Sequence, residues 1–201
     1  INIIPISLLD NTESNIVVKG KGSKAFINLP RYLTSEFAEF LGYVFGDGHL
    51  GNNYVEIVSE KTELIEKIRH LVKILFGSEV HIDRDFRTKS LYRMRISSKT
   101  LVDILNRIFG ISIGKKGRNL KIPKQILASN SEIVRHFVRA YFDCDSSVSG
   151  STREIELVSE SRILIRQMQI LLLRFGIASS ISKKTNMNGY WRLVIRARYA
   201  E

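Results

Sequence analysis

Two aspartates, Asp47 and Asp145, stand at the ends of two apolar segments that read FLGYVFGD and FVRAYFDCD. The apolar residues recur at helical spacing, so each acid is predicted at the C-terminal end of a helix, where free carbonyl groups converge. The helix dipole is negative there and an isolated carboxylate costs about 0.3–1 kcal/mol, which indicates a compensating cation. Carboxylates and helix-end carbonyls form an all-oxygen ligand set that suits Mg²⁺. Taken alone, Asp47 followed by Gly48 is more typical of a turn.

Small residues precede both acids at the same spacing. Gly42 and Gly46 stand four residues apart in the first segment, and Ala140 and Cys144 occupy the equivalent places in the second. Small side chains at this spacing let two helices approach closely, so these faces are predicted to pack on each other and to bring the two acids together. The chain's only cysteine, Cys144, is therefore interpreted as a packing residue, because neighbouring acids disfavour a nucleophilic thiolate.

The two segments belong to an internal repeat. LGYVFGDGHL (41–50) aligns with RAYFDCDSSV (139–148) at an offset of 98 residues, and YVEIVSEKTELI (54–65) aligns with EIELVSESRILI (154–165) at an offset of 100. A register held over this length is not expected by chance. The sequence therefore predicts a single-chain pseudo-dimer with an N-terminal lead segment (1–34), a first repeat (35–129) and a second repeat (130–201).

Each repeat is predicted to contain a motif helix, an extended stretch, a second helix and two strands. Apolar positions at helical spacing define the helices, and Ser, Thr or Asn residues before them are suitable N-caps. The predicted boundaries are Thr34 or Ser35 and Asn130 or Ser131 for the start of the motif helices, and Thr62 to Gly77 and Ser161 to Gly176 for the second helices.

Basic side chains line one face of the strands that close each repeat. Arg93 and Arg95 alternate with apolar residues in LYRMRIS, as Arg192, Arg196 and Arg198 do in YWRLVIRAR. An antiparallel sheet of this kind can enter the major groove of DNA, where arginine binds guanine edges and phosphates. An ordinary solvated face is the alternative. Further candidate DNA contacts are Arg84, Arg87, Lys89, Lys183 and Lys184, and GKKGRNLK (114–121) is a basic loop.

The charge balance favours a nucleic-acid partner. The 201 residues include 31 Lys and Arg against 20 Asp and Glu, a formal net charge of +11. Such a field attracts polyanions, with double-stranded DNA favoured over an acidic membrane surface. No stretch approaches the ~20 apolar residues of a membrane span. A single cysteine excludes an internal disulfide and a multi-cysteine zinc site, and an intracellular protein of a prokaryotic cytoplasm or an organelle matrix is expected.

FLGYVFGDGHL (40–50) and FVRAYFDCDSSV (137–148) resemble the two copies of the motif that names the LAGLIDADG homing endonucleases, in the single-chain form encoded by mobile introns or inteins. The resemblance covers most of the chain, because it includes the spacing of the motifs, the strand and helix after each, and LKIP (120–123). It implies an α+β fold of two pseudo-symmetric αββαββα-like halves. In that fold the motif helices pack at the interface and two antiparallel sheets form a DNA-binding saddle.

The resemblance also implies a reaction. It implies that the chain, as a monomer, binds a long, asymmetric double-stranded DNA site and hydrolyses one phosphodiester in each strand with Mg²⁺-activated water, Mn²⁺ being a substitute. The last acid of each motif carries over onto Asp47 and Asp145 as the metal ligands. The carbonyl groups of Gly46 and Cys144 are implied to complete the protein's share of the metal site.

Basic residues beside the metal, and two departures from the family pattern, also follow from the resemblance. Lys61, in SEKT, and Lys121, in LKIP, stand at positions that imply stabilisation of transition-state charge. Ser146 replaces the glycine that usually follows the catalytic acid, and serine costs about 1–2 kcal/mol if that position is left-handed. Ser161 stands where the first repeat has Lys61, so the second copy lacks this lysine.

Other functions of the same fold stay open. An RNA maturase that assists intron splicing, with intron RNA as its partner, is favoured slightly by Ser146 and Ser161. A non-cleaving DNA-binding regulator is disfavoured, because such proteins commonly lose the motif acids. Self-splicing by the chain itself is not expected, since it starts with Ile1 and ends RARYAE.

Overall fold

Most of the chain consists of a unit of helices and strands that occurs twice. The structure is a computed structural model that describes residues 15–18, 27–84, 90–150, 152–185 and 187–196. The N-terminal hairpin consists of β1 (Asn15–Val18) and β2 (Ile27–Pro30). The first unit contains α1 (Ser35–Phe45), β3 (Gly48–Leu50), β4 (Val55–Ser59), α2 (Thr62–Phe76), β5 (His81–Arg84), β6 (Tyr92–Ile96) and α3 (Lys99–Arg107). A linker contains a 3₁₀ turn (Gly117–Asn119) and α4 (Lys124–Leu127). The second unit contains α5 (Ser131–Asp145), β7 (Ser146–Ser149), β8 (Glu154–Ser159), α6 (Arg162–Leu173), β9 (Ser180–Lys183) and β10 (Trp191–Arg196).

Each unit folds its four strands into one antiparallel sheet. The strand order is β3-β4-β6-β5 in the first unit and β7-β8-β10-β9 in the second. The registers match, because Tyr92 lies opposite Ser59 and Trp191 lies opposite Ser159. The predicted α+β fold with two pseudo-symmetric halves is therefore confirmed. The first unit is αββαββα, and the second repeats αββαββ up to Arg196.

The helices begin at polar caps, with one exception to the prediction. Thr34, Asn130 and Ser161 each accept a hydrogen bond from the backbone N–H three residues later, at 3.2, 3.1 and 3.1 Å. The prediction that Thr62 caps α2 is wrong, because Thr62 is already helical and Lys61 holds the cap position without a side-chain hydrogen bond. The Lys61 side chain therefore makes no capping hydrogen bond to the start of α2.

The two second helices end differently. Gly77 ends α2 in the left-handed conformation (φ 63°), as predicted, and glycine adopts this conformation at little cost. The other helix, α6, ends at Leu173, before the predicted Gly176. The intervening residues tighten into a turn in which the Gly176 N–H donates to the Leu173 carbonyl at 3.0 Å.

The motif helices α1 and α5 pack directly on each other along their small residues. A Cβ atom on Gly42 would lie 2.5 Å from the carbonyl oxygen of Phe137 and 2.6 Å from the Cβ of Ala140, and one on Gly46 would overlap Cys144. A larger side chain at either glycine would force the helices apart, because protein interiors are close-packed. This contact joins the two units at their centre.

One hydrophobic core runs through both units. The apolar faces of the sheets bury Ile57 and Met94 in the first unit and Leu157 and Leu193 in the second, and all four belong to the same cluster of buried residues. Within the described ranges, no helix combines the length and apolar character needed to cross a membrane. The shared core fixes the motif helices relative to both sheets.

A buried carboxylate, which the sequence did not single out, ties three helices together near the start of α1. The side chain of Glu39 is 7% exposed and accepts from Lys67 of α2 at 2.5 Å, Arg139 of α5 at 3.0 Å and the Tyr43 hydroxyl at 3.0 Å. Burial on its own raises the pKa of Glu39, but these hydrogen bonds and charges outweigh it, so the pKa lies below the usual glutamate value. The charged form therefore stabilises the fold.

Glu39→Gln is expected to lower the free energy of unfolding at neutral pH by about 1–3 kcal/mol, because Lys67 and Arg139 lose a charged acceptor. A lowered pKa contributes stability above the unfolded value, and this contribution is lost as the pH falls through the folded value. The difference from wild type should therefore shrink in acid. Urea unfolding at neutral and acidic pH measures it. Glu132→Gln, which removes an exposed acid paired with Arg135, is the control and should lower the free energy of unfolding much less. Equal costs for the two variants would contradict the role of Glu39.

Candidate active site

Asp47 and Asp145 lie where the two motif helices end. The first helix, α1, ends at Phe45 with Gly46 as its C-cap, and Asp47 follows immediately before β3. Asp145 is the last residue of α5. The carboxylates are close enough for the charge of Asp47 to raise the pKa of Asp145. The structure thus brings the two acids together beneath the helix contact.

A lysine from the linker supplies a positive charge at this point. Lys116 Nζ donates to the carbonyl oxygens of Val44 at 3.1 Å and Phe45 at 2.7 Å, and also to that of Gly46. Burial lowers the pKa of Lys116, and the charges of Asp145 and Asp47 oppose that effect. The helix end therefore does face a cation, as the position of the acids indicated, and in the structure this cation is an ammonium group.

Burial dominates the protonation of both acids. It raises the pKa of Asp47, against a hydrogen bond from Cys144 and the charges of Lys116 and Lys61. It also raises the pKa of Asp145, against a hydrogen bond from Tyr141 and the charge of Lys116. Two partly desolvated carboxylates thus lie close to one cation. Further positive charge at this site would stabilise their charged forms.

The donors at this site fit a hard divalent cation. No group of three or more His, Cys, Asp or Glu side chains within the described residues could hold a metal ion. A magnesium ion, however, commonly uses only one or two carboxylates and takes its other oxygens from water and substrate phosphates. Asp47, Asp145 and the Gly46 carbonyl offer such a partial set, and that carbonyl already accepts from an ammonium group. Participation of the Cys144 carbonyl stays a prediction.

The thiol of Cys144 contacts the first acid and serves packing. Its pKa is raised, first by burial and then by the charge of Asp47. A thiol in this state is a poor nucleophile. The side chain fills the space above Gly46, which agrees with the interpretation of Cys144 as a packing residue.

The two lysines that the resemblance implied are placed unequally. Lys61 is exposed, and its charge opposes the burial that raises the pKa of Asp47. Lys121 is also exposed, but the linker residue whose charge acts on both acids is Lys116, five positions earlier. From the sequence, Lys116 stands out only as part of the basic loop GKKGRNLK. Ser161, the counterpart of Lys61, is buried and donates to the Leu120 carbonyl.

The concern that Ser146 is strained proves wrong. Its backbone is extended (φ −97°, ψ 151°), so no left-handed residue is required after Asp145. Its hydroxyl donates to the Phe142 carbonyl at 2.6 Å. In the first unit, Gly48 is needed for a different reason, because a Cβ there would overlap the backbone of Val44.

The arginine faces of both sheets carry carboxylates that the sequence analysis overlooked. Arg95 lies 2.6 Å from Glu56 and Arg93 lies 3.6 Å from it. In the second unit, Glu156 contacts Lys184 at 2.6 Å and Arg192 at 3.5 Å. At the strand end, Arg196 lies 3.5 Å from Glu154. Each sheet face is therefore a mixed-charge surface.

Not every candidate DNA contact reaches these faces. Arg84 lies opposite Tyr92, and Lys183 lies opposite Trp191. Paired residues share a sheet face and neighbours along a strand alternate, so both cations lie on the face opposite Arg93 and Arg192. Both lie at the end of the strand that leads into the hairpin of their sheet, and their contact with DNA stays a prediction. Arg87, Lys89 and Arg198 lie outside the described residues, as does most of the predicted lead segment (1–34).

Two packed helices that end in paired carboxylates, each leading into a four-stranded antiparallel sheet, define the two-motif LAGLIDADG fold. The chain belongs to the family described as LAGLIDADG-like domain, whose model matches residues 34–110 and 132–201. A crystal structure of the homing endonuclease I-DmoI in complex with DNA and Mn is similar, with a TM-score of 0.63 and 17% identity, covering 84% of this chain and 93% of that chain.

Two relatives are similar in sequence. One is a subunit of the A-type ATP synthase of Pyrococcus abyssi, which is 34% identical over 187 residues that cover 92% of this chain and 18% of the relative. The other is the glutamine–fructose-6-phosphate aminotransferase of Methanocaldococcus jannaschii, which is 29% identical over 174 residues that cover 84% of this chain and 16% of the relative. The chain thus spans less than a fifth of the length of these relatives.

Proposed function

We propose that this chain is a site-specific homing endonuclease that hydrolyses one phosphodiester in each strand of double-stranded DNA with the help of Mg²⁺. The observation that carries the proposal is the convergence of Asp47, Asp145 and the Lys116 ammonium at the packed ends of two motif helices. A site of this kind is suited to phosphoryl chemistry, where catalysis consists mainly of positioning and charge stabilisation.

The two relatives support the proposal that this chain is a module with an activity of its own. Their names, one from an ATP synthase and one from an aminotransferase, describe unrelated reactions. A segment shared by both, and small relative to each, is poorly explained by either reaction. It is better explained as an inserted unit that acts on nucleic acid, which agrees with the net charge of +11.

The residues of the site divide the work between them. Asp47 and Asp145 would hold the metal from the two units, with the Gly46 carbonyl as a further ligand. Lys116 would stabilise negative charge near both acids, and Lys61 would do so near Asp47 only. The divalent cation, when bound, supplies Lewis-acid stabilisation and lowers the pKa of water. Each repeat, residues 35–129 and 130–201, would serve one half of an asymmetric DNA site bound by a monomer.

Cleavage of a library of duplex targets, with and without Mg²⁺, tests the proposal. The expected result is a small set of related sequences cut in both strands only when the divalent cation is present. Titration with intron RNA is the matched experiment for the maturase alternative. Tight RNA binding without a cut in any duplex would overturn the endonuclease proposal in favour of a maturase, and duplex binding without a cut would favour a regulator.

Glu56→Gln is expected to tighten binding to double-stranded DNA by about tenfold at low salt, because it frees Arg95 from its ion pair with Glu56 and removes a charge that repels phosphate. The ratio of the variant's DNA affinity to that of the wild type should fall as salt is added. Fluorescence anisotropy of a labelled duplex at two salt concentrations measures this. Glu79→Gln, which removes an exposed acid paired with Lys73, is the matched control and should change affinity little. A similar gain in the two variants would show that only net charge matters.

A further inference from the structure

A basic pocket on the second unit lies outside the candidate active site. Its volume is about 620 Å³, and three separate segments line it. The linker turn contributes Arg118, the start of α6 contributes Arg162, and the β9–β10 hairpin contributes Lys183 and Trp191. We call this cavity the Trp191 pocket. It lies at the end of the sheet, where β9 ends and β10 begins, beside the arginine face.

The cations of this pocket are arranged around an aromatic ring. The Arg162 guanidinium carbon lies 4.5 Å from the centroid of the Trp191 ring, and Lys183 Nζ lies 5.8 Å from it. An indole ring holds these groups in place but has no oxygen to accept their N–H donors. Arg118, Arg162 and Lys183 are all exposed. Their donors are therefore available to an anion.

The pocket contains little negative charge to balance these cations. Among its described lining residues, Glu160 is the single carboxylate, and it already accepts from the Tyr190 hydroxyl at 2.8 Å. Lys184, a fourth cation of the lining, is neutralised by Glu156 at 2.6 Å. Three cations thus face one carboxylate, and a bound anion would relieve their mutual repulsion.

The equivalent residues of the first unit are arranged differently. There Tyr92 occupies the position of Trp191, and its hydroxyl accepts from Arg84 at 2.9 Å. Thr62 stands at the position of Arg162 and also hydrogen-bonds to Tyr92. The phenol oxygen takes up the donors that the indole of the second unit leaves available.

The linker places the Trp191 pocket beside the candidate active site. Ser161 donates to the Leu120 carbonyl, and Gln167 accepts from the Ile122 N–H at 2.7 Å, so the linker is fastened to α6. Arg118 follows Lys116 by two residues, which separates their Cα atoms by at most about 7 Å. Neighbouring phosphates of a DNA strand rise about 3.4 Å along the axis, so one strand can reach both residues.

We propose that the Trp191 pocket binds a backbone phosphate of the nucleic acid held at the candidate active site, a few nucleotides from the bond that is cut. This proposal rests on the proposed function. Arg118 and Arg162 supply charge-assisted hydrogen bonds to the phosphate oxygens, and Lys183 adds charge.

Trp191 is the chain's only tryptophan, so its fluorescence reports directly on the pocket. A mixed-sequence duplex DNA is titrated in the presence of a chelator, and inorganic phosphate is titrated separately against chloride at equal ionic strength. Duplex DNA is expected to change the fluorescence of Trp191. Arg118→Ala and Arg162→Ala should each weaken DNA binding and reduce the slope of log affinity against log salt by about 0.9.

Arg135→Ala is the matched control, because it removes the same charge from an exposed part of α5 where Arg135 pairs with Glu132. It should leave the salt slope unchanged. Binding of the labelled duplex with no change in Trp191 fluorescence, and with equal slopes in all three variants, would overturn the proposal. If the duplex does not bind at all, the proposed function fails, and the phosphate titration decides the pocket separately. A saturable change that Arg118→Ala removes would support an anion site, and no change would overturn it.

Discussion

Asp47→Asn and Asp145→Asn are each expected to lower the rate of double-strand cleavage by at least about 10³-fold, since a metal ion supplies several kcal/mol of transition-state stabilisation and about 1.4 kcal/mol corresponds to a factor of ten. Asparagine keeps the size and much of the hydrogen bonding of aspartate but lacks the charge that a divalent cation requires. DNA affinity should stay nearly unchanged, because neither acid lies on the arginine faces. Conversion of a supercoiled target plasmid to linear product, with binding measured in parallel, tests both statements.

The same variants should be more stable than wild type at neutral pH. Burial raises the pKa of Asp47 and Asp145 in the folded chain, so their charged forms cost stability above that pKa. Each single Asn variant removes this cost, and the gain should shrink as the pH falls through the raised pKa. Asp103→Asn on α3 is the control for both measurements. Near-wild-type turnover in both active-site variants would refute the metal assignment, whatever their stability.

The architecture could be predicted because the sequence contains the same pattern of helices and strands twice. The repeat offset aligned the motif helices and the strands after them, and the alternation of apolar residues fixed which faces are buried, as at Met94 and Leu193. Errors were confined to helix ends. Lys61 rather than Thr62 holds the cap of α2, and α6 stops short of Gly176, because local hydrogen bonds rather than residue type decide the last turn.

The site was predictable only where its residues belong to the repeat. Asp47 and Asp145 can be identified from the sequence, because both are acids at equivalent helix ends. Lys116 cannot be identified in this way, because it lies 70 residues from the Gly46 carbonyl that it contacts. The local sequence does not indicate which lysine of the basic loop contacts the end of α1. Glu56 is an intermediate case. Strand alternation places it on the arginine face once the pairing with Arg95 is known, but the pairing itself is a long-range contact.

The charge of Lys116 acts on both acids, so its loss should affect both strands of the DNA alike. Lys116→Met is expected to lower cleavage of each strand by about 10²-fold, the effect of removing one preorganised group that stabilises transition-state charge. Lys61→Met should slow mainly the strand whose cleavage depends on Asp47, because the charge of Lys61 acts on that acid. Strand-specific labels at the two ends of one duplex separate these outcomes.

Metal binding distinguishes a role in catalysis from a role in holding the site together. The Lys116 ammonium occupies the carbonyl oxygens of Val44, Phe45 and Gly46 and competes there with any divalent cation, so Lys116→Met should bind Mn²⁺ more tightly while it cleaves more slowly. Lys115→Met, its exposed neighbour, controls for net charge and should change neither property. A purely structural lysine would weaken Mn²⁺ binding and cleavage together when removed, because the carboxylates would lose their arrangement. Tighter binding combined with slower cleavage is the result that only a charge-stabilising Lys116 predicts.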